Sequence, residues 1–344
     1  MLGIGSGHSR TGRTMSNALE TLEDYWAAAA EPRPLVVFGA GRWGRVWASV
    51  AAGARGTGEG IALIARSNLD DTRAWQAEHP SRAEIVVTGD PESVLRDMGE
   101  GGNALIASRP KDHIRDVDLC LRAGVPALVE KPFSDDPAES ARMVERAAAA
   151  GLVYGIGVEF SLLPELHALG EMLGSWAGTA TLHWEDPDAE VRHGHLKRPH
   201  DEISLLDDIL PHALSIFGVI AGSQPDWVMQ KAFERGVRSA QLSLQDGKRA
   251  FRLFASKAMP ERTRRFEIEC QDGRNFVLDF AKTPARLTSG GRSVALDPRF
   301  GALSSTLRLE LGAWFRALDG GQPAIVADLK THIAMHARLR ELLA

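Results

Sequence analysis

The sequence is poor in the features that would take it out of the ordinary globular class. It has only two cysteines, Cys120 and Cys270, too few and too far apart for a disulfide framework or a thiolate metal site. That scarcity fits a reducing compartment, and a cytoplasmic location is expected. No apolar run reaches the roughly 18 residues that a membrane span needs. No sign of charge dominates: a net charge of −5 argues against a nucleic-acid partner. The Gly- and Ser-rich start, residues 1–13, lacks the apolar stretch of a secretory signal. Nor is there an internal repeat or a low-complexity segment. What is present is the usual balance of 44% hydrophobic and 25% charged residues. With 344 residues, the chain exceeds the size at which a single core stops growing, so two domains are expected.

Hydrophobic spacing from Ser16 to Ala29 predicts a short helix, stopped by Pro32 and Pro34 and read as an appendage within an N-terminal extension, residues 1–33. From Leu35 to about Tyr154 short apolar runs alternate with helical stretches, a βαβ pattern. Strands are expected at 35–38, 61–65, 84–87, 104–107, 127–129 and 153–156. The character then changes: a helix over Pro164–Leu173, a strand at 179–184 and a polar stretch to about Ile203. Between 227 and 280 five alternating runs predict a mostly antiparallel sheet, and helical periodicity returns at Leu307–Leu318 and from Asp328 onward. The fold class is therefore α/β: a Rossmann domain over 34–157 and an α+β domain with an open, mostly antiparallel sheet over 158–344.

The apolar run Leu35–Phe38 leads into Gly39-Ala40-Gly41-Arg42-Trp43-Gly44, a GxGxxG followed at once by a helical segment. Gly39 permits the tight turn, Gly41 lets the backbone approach a pyrophosphate, and Gly44 packs helix on strand. The helix N-terminus, with Arg42 and Trp43 beside it, is left to face the anion. Sites that prefer NAD usually carry an acidic residue about 20 residues further on, to hold the ribose hydroxyls. Here that place reads Ile64-Ala65-Arg66-Ser67-Asn68. Arg66 can pair with a 2′-phosphate and Ser67 can donate to it, so NADP is expected ahead of NAD. The alternative leaves Arg66 solvated and gives the ribose to Asp70 or Asp71.

Two further segments, Ala104-Leu105-Ile106-Ala107-Ser108-Arg109-Pro110-Lys111-Asp112-His113 and Ala123-Gly124-Val125-Pro126-Ala127-Leu128-Val129-Glu130-Lys131-Pro132, complete a motif order that resembles the Gfo/Idh/MocA oxidoreductases. Glu130-Lys131-Pro132, about 90 residues after the glycine loop, is the most specific of these motifs. The resemblance implies a substrate held over the nicotinamide between the two domains, a homo-oligomer (dimer or tetramer) formed through the open sheet, and Ser108 and His113 on the cofactor side. It also allows a cis Lys131–Pro132 bond. Lys131 follows an apolar strand and so falls at the carboxyl end of the parallel sheet, where an ammonium can polarise a carbonyl or hold an alkoxide. Glu130 is a candidate anchor for the Lys131 amine or for a cofactor amide.

Family members also carry an Asp and, four residues on, a His on a helix facing the nicotinamide, and Asp208 and His212 match that spacing. Four residues apart on a helix, the carboxylate can orient the imidazole, and the imidazole can carry the proton that accompanies hydride transfer. The surroundings depart from the family pattern: leucines stand where glycines are usual, and Pro211 interrupts the helix or restarts it. Asp207 or Asp208 capping a helix is thus the competing reading. His183, His193, His195 and His200 crowd the polar stretch. No pair has the spacing of a helical zinc site and Arg192, Lys197 and Arg198 would repel a cation, so no metal is expected.

These residues together predict an NADP(H)-dependent oxidoreductase moving hydride to or from a small-molecule carbonyl/alcohol or imine/amine. The alternatives are a non-catalytic, nucleotide-responsive binding or regulatory protein of the same fold, and a sugar or inositol dehydrogenase. The segment Val158-Glu159-Phe160-Ser161-Leu162-Leu163-Pro164 and the residues Leu205, Leu206, Ile209 and Leu210, read together as an apolar pocket wall, would disfavour unmodified hexoses and inositols and favour a less hydroxylated biosynthetic intermediate.

Overall fold

The computed structural model describes residues 15–99, 101–187, 189–192, 195–197, 203–222, 226–236, 238–320 and 329–344. Helix α1 (Met15–Ala28) precedes a first layer of β1 (Leu35–Phe38), α2 (Arg42–Arg55), β2 (Ile61–Ile64), α3 (Leu69–Ala77), β3 (Val86–Thr88), α4 (Pro91–Asp97), β4 (Asn103–Ile106), α5 (Pro110–Ala123), β5 (Ala127–Val129), α6 (Pro137–Ala149) and β6 (Tyr154–Ile156). Its six strands lie parallel in the order β3-β2-β1-β4-β5-β6, the doubly wound order whose ligands bind beyond the carboxyl ends of the strands. All of β1, β4 and β5 is buried, as expected of parallel strands covered by helices on both faces. The helices are cut by local chemistry: α5 opens on Pro110 and closes on Gly124, whose φ is +71°.

The second layer comprises α7 (Pro164–Leu173), β7 (Gly178–Pro187), the short hairpin β8 (Glu190–Arg192) and β9 (His195–Lys197), and α8 (Leu205–Ala221). Strands β10 (Val228–Arg235), β11 (Ser239–Asp246), β12 (Arg249–Met259), β13 (Thr263–Cys270), β14 (Asn275–Asp279), β15 (Arg286–Ser289) and β16 (Arg292–Ser293) come next. Helices α9 (Pro298–Ala302), α10 (Thr306–Leu318) and α11 (Leu329–Leu343) end the chain. Eight strands form one sheet in the order β10-β11-β12-β7-β13-β14-β15-β16, antiparallel except where β12 meets β7. The hairpin falls in the stretch that the sequence marks only as polar. Among the described residues no helix is long and apolar enough to cross a membrane.

The N-terminal helix is not an appendage. Leu19, Leu22 and Ala28 are fully buried, the two leucines in the same apolar cluster as the parallel sheet, and α1 lies against α10 so closely that a Cβ on Gly312 would sit 1.7 Å from the Tyr25 carbonyl oxygen. Arg316 of α10 adds ion pairs to Asp24 at 2.8 Å and Glu31 at 2.6 Å. Helix α10 in turn returns to the first layer, where the buried Trp314 Nε1 donates to Asn103 Oδ1 at 3.1 Å. Periodicity showed that 16–29 is amphipathic, but it carries no record of the partner that its apolar face covers.

Candidate active site at the junction of the two sheets

The glycine loop has the shape its sequence implies. Gly39, at φ +91°, lies so near Ser108 that a Cβ would meet that residue's Cα at 2.6 Å, and a Cβ on Gly44 would meet the Gly39 carbonyl oxygen at 1.6 Å. A Cβ on Gly41, by contrast, would have no atom within 4 Å. The turn is therefore tight below and open above, at the N-terminus of α2, which is the form of a cradle for a dinucleotide pyrophosphate. Arg42 and Trp43 are exposed at its rim, the guanidinium 5.5 Å from the ring centroid.

At the end of β2, Ser67 is exposed and Arg66 turns toward α5, pairing with the buried Asp116 at 2.9 Å. Asp116 also accepts from Ser108 Oγ at 2.7 Å and Arg115 Nε at 3.1 Å, so its burial does not depend on Arg66 alone. Asp71, the alternative ribose acceptor, is taken by Arg45. His113 occupies a different role from the one the resemblance implied. It is 1% exposed, and its two ring nitrogens face the carbonyl oxygens of Pro132 (3.0 Å) and Ser108 (2.9 Å). Burial lowers its proton affinity. His113 therefore links the loop after β4 to the loop after β5 and presents no free nitrogen to a cofactor.

Glu130 is likewise engaged by the protein rather than by the Lys131 amine: its Oε1 accepts from Trp47 Nε1 of α2 at 2.6 Å and its Oε2 from the Lys131 amide at 3.3 Å. The Lys131–Pro132 bond is cis. The Lys131 side chain crosses to α8 and donates to Asp208 Oδ1 at 2.6 Å. Burial alone would lower the Lys131 ammonium; the charge and hydrogen bond of Asp208, with Glu159 and Glu130 behind them, turn the net shift upward. On Asp208 burial acts to raise the carboxyl, and Lys131 and Lys257 reverse it, holding the group well below the usual carboxylate range. The pair thus stays charged at neutral pH. Lys257 on β12, absent from the sequence-based set, lies 3.7 Å from the other Asp208 oxygen.

Helix α8 is continuous through Pro211 and is capped by Ser204, whose Oγ accepts from the Asp207 amide at 3.1 Å. Neither aspartate is the cap. Asp207 points away from the junction to α11, where it meets Arg340 at 2.7 Å and His336 at 2.9 Å. Asp208 binds Lys131 rather than His212, which corrects the expectation that it orients the imidazole. That task falls to aromatic groups: His212 stacks on Trp184 (5.1 Å, 12°) and meets Phe160 edge-on (5.1 Å, 83°). Trp184 also carries the Arg264 guanidinium, 3.9 Å from the ring centroid. Buried in this stack, with Lys131 nearby, His212 is pushed well below the usual imidazole range and is neutral.

Two carboxylates complete the junction, and neither was singled out from the sequence. Glu159, just past β6, places Oε2 3.8 Å from His212 Nδ1. Glu310 of α10 is fully buried and accepts from the Val158 amide; burial and its acidic neighbours raise it far above its ordinary value. Leu205, Leu206, Ile209 and Leu210 are buried in the apolar cluster of the second sheet. They seat α8 on that sheet, and Leu210 also lines a small cavity beside Asp207 and α11, on the side of α8 away from Asp208, so they give no reason to exclude hexoses and inositols. His193 and His200 lie outside the described residues, and among the described residues no three His, Cys, Asp or Glu side chains gather as a metal site would require.

A glycine cradle at the carboxyl edge of a 3-2-1-4-5-6 sheet, together with a half-buried Lys–Asp pair shared with a second sheet domain, defines a dinucleotide-binding oxidoreductase. Residues 34–158, which span the first layer, match the model of the GFO_IDH_MocA group, described as an oxidoreductase family with an NAD-binding Rossmann fold. No curated protein matches the chain in sequence. Among solved structures, the UDP-N-acetylglucosamine 3-dehydrogenase GnnA from Acidithiobacillus ferrooxidans is similar over 90% of this chain and 97% of its own, with TM-score 0.70 and 19% identity. A 3-ketoreductase from Actinomadura kijaniata, in complex with NADP and TDP-benzene, is similar over 91% and 98%, with TM-score 0.67 and 15% identity. An oxidoreductase from Agrobacterium radiobacter with NAD+, L-tartaric acid and magnesium is similar over 91% and 96%, with TM-score 0.64 and 15% identity. At such identities the likeness is one of fold.

Proposed function

We propose that the protein is an NADP(H)-dependent oxidoreductase that moves a hydride between the nicotinamide and a carbon bearing a hydroxyl or keto oxygen on a small polar metabolite. The observation that carries this reading is the Lys131–Asp208 ion pair at 2.6 Å, lodged between the carboxyl edge of β5 and the second domain. A cofactor bound at Gly39, Gly41 and Gly44 would supply the hydride acceptor or donor. The ammonium of Lys131, fixed by Asp208, stabilises the negative charge that gathers on oxygen as a ketone is reduced. The same charge opposes the iminium cation from which an imine is reduced, so oxygen chemistry is favoured over nitrogen. With the leucines accounted for as core, the groups facing the junction are Lys131, Asp208, His212, Glu159 and Lys257. Such a set offers partners to several substrate hydroxyls, which returns sugars to the candidate substrates. The names of the dehydrogenase and the 3-ketoreductase above point to the same chemistry.

For the cofactor, Arg66 remains the cation nearest the end of β2. Because Asp116 keeps Ser108 and Arg115, Arg66 can leave it for a 2′-phosphate without stranding a buried charge. NADPH is expected to bind at least about tenfold more tightly than NADH, and Arg66→Asp to reverse the order. The homo-oligomer is proposed to assemble through the open face of the second sheet, where Phe233, Gln241, Phe254 and His183 form one cross-strand row. The test of function is turnover of aldoses, keto-sugars, sugar nucleotides, ketoacids and cyclic imines with both cofactors. Turnover confined to imines, or none with any cofactor that binds, would overturn the reading.

A further inference from the structure

His212 poses a chemical problem. It is the one neutral base among the groups facing the junction, yet burial, Lys131 and Arg264 all disfavour its imidazolium form, so a proton that it accepts must move on. Its Nδ1 is sealed from solvent and has no hydrogen-bond partner, and the carboxylate Oε2 of Glu159 stands 3.8 Å from that same nitrogen. The ring cannot turn away, being stacked on Trp184 and closed at its edge by Phe160. A separation of 3.8 Å exceeds a hydrogen bond by under about 1 Å, the kind of gap that tightens when substrate binds.

Resting on the oxidoreductase reading above, we propose that Glu159 and His212 form a two-step proton relay in which Glu159 is the terminal proton holder and the imidazole stays neutral throughout. In the oxidation direction, the substrate O–H bond breaks as Nε2–H forms, the Nδ1–H bond breaks as a bond to Glu159 Oε2 forms, and the hydride leaves carbon for the nicotinamide. Reduction runs the same path backwards, the Glu159 proton entering Nδ1 and the Nε2 proton going to the substrate oxygen. The imidazole changes tautomer and never gains a charge, so the groups that forbid an imidazolium do not stop the transfer.

The surroundings suit Glu159 to this task. Burial and the nearby Glu130 and Asp208 raise its carboxyl, Lys131 opposes them, and the balance stands at about 7. Below that value the carboxyl holds its proton and can give it up, which serves reduction; above it the carboxylate is empty and can take one, which serves oxidation. Glu310 lies beside it, and burial with the charges of Glu159 and Glu130 raises its carboxyl well above the ordinary range, toward the protonated form. From α8 and its neighbours, the charged or titratable groups acting on His212 are Lys131, Asp208, Arg264 and His332.

The relay can be detected without turnover. In protein carrying ¹⁵N-histidine, with the His212 signals assigned by their loss in His212→Gln, Nε2 should bear the proton below about pH 6 and Nδ1 above about pH 8. In Glu159→Gln the tautomer should be the same at every pH. In turnover, Glu159→Gln should lower kcat for oxidation at least about tenfold, leave KM within about threefold, and remove the inflection near neutrality, while Glu159→Asp should restore part of it. A tautomer that ignores pH in the unaltered protein, or one that still switches in Glu159→Gln, would overturn the relay. If the tautomer switches as described but no carbonyl or alcohol is turned over, the relay stands and the substrate reading fails.

Discussion

The two sheets contribute to the junction by opposite means. The parallel sheet has strands of three or four residues and gives the site only the residues just past their carboxyl ends: Gly39 after β1, Ser108 after β4, Lys131 after β5 and Glu159 after β6. Its cofactor end is made of backbone, with glycine shapes and a helix N-terminus. The second sheet has strands of up to eleven residues and gives side chains from the elements themselves, Trp184 on β7, Lys257 on β12 and Arg264 on β13, with Asp208 and His212 on the helix that lies on it. Its half of the site is made of packing and charge. A dinucleotide has the same phosphates in every member of a family and can be met by a fixed backbone, whereas the substrate end must vary and is built from replaceable side chains.

That contrast can be broken at either end. Asp208→Asn, which keeps the shape and removes the charge, attacks the side-chain half. With Asp208 gone, burial is left to lower Lys131, so the ammonium should be lost as pH rises: turnover is expected to fall by a factor on the order of a hundred at pH 8 and less at pH 6. A pH–rate profile of the variant checks this, and a uniform fall at all pH values would count against it. Gly41→Ser attacks the backbone half. The new Cβ meets nothing within 4 Å and serine is a good helix cap, so the melting temperature should hold. The side chain would nonetheless stand where the pyrophosphate approaches, and cofactor titration should show at least about a tenfold weaker Kd, about 1.4 kcal/mol. Asp207→Asn sharpens the comparison within one helix: it breaks the pairs to Arg340 and His336, and should cost about 1–2 kcal/mol in denaturant unfolding while turnover stays within about threefold.

What the sequence displayed has the same division. Strands β1 and β5 and helix α7 fall on the residues their apolar spacing predicts, and the glycine loop was readable because each glycine answers a local steric demand. Lys131 was readable because a motif and a strand end coincide. Asp208 was named as well, but not as the partner of Lys131, since it lies 77 residues away and only the rotation of α8 separates it from Asp207, which faces the opposite way. Glu159 lay in a segment read for its apolar neighbours; its place just past β6 was the signal that could have found it. Lys257, on a strand whose alternation says only which face it takes, and Glu310, inside an apolar helix face, left no local trace of the charges they meet.

Cofactor binding, on this account, belongs to the backbone of the first sheet and chemistry to the charged pair at the junction. Lys131→Met tests that division directly, because methionine fills the space of the lysine stem and removes only the ammonium. NADPH affinity by fluorescence titration should stay within a few-fold while kcat on the best substrate of the panel falls by a factor on the order of a hundred or more. Near-normal kcat at saturating substrate, or a loss of cofactor binding as large as the loss of turnover, would contradict it.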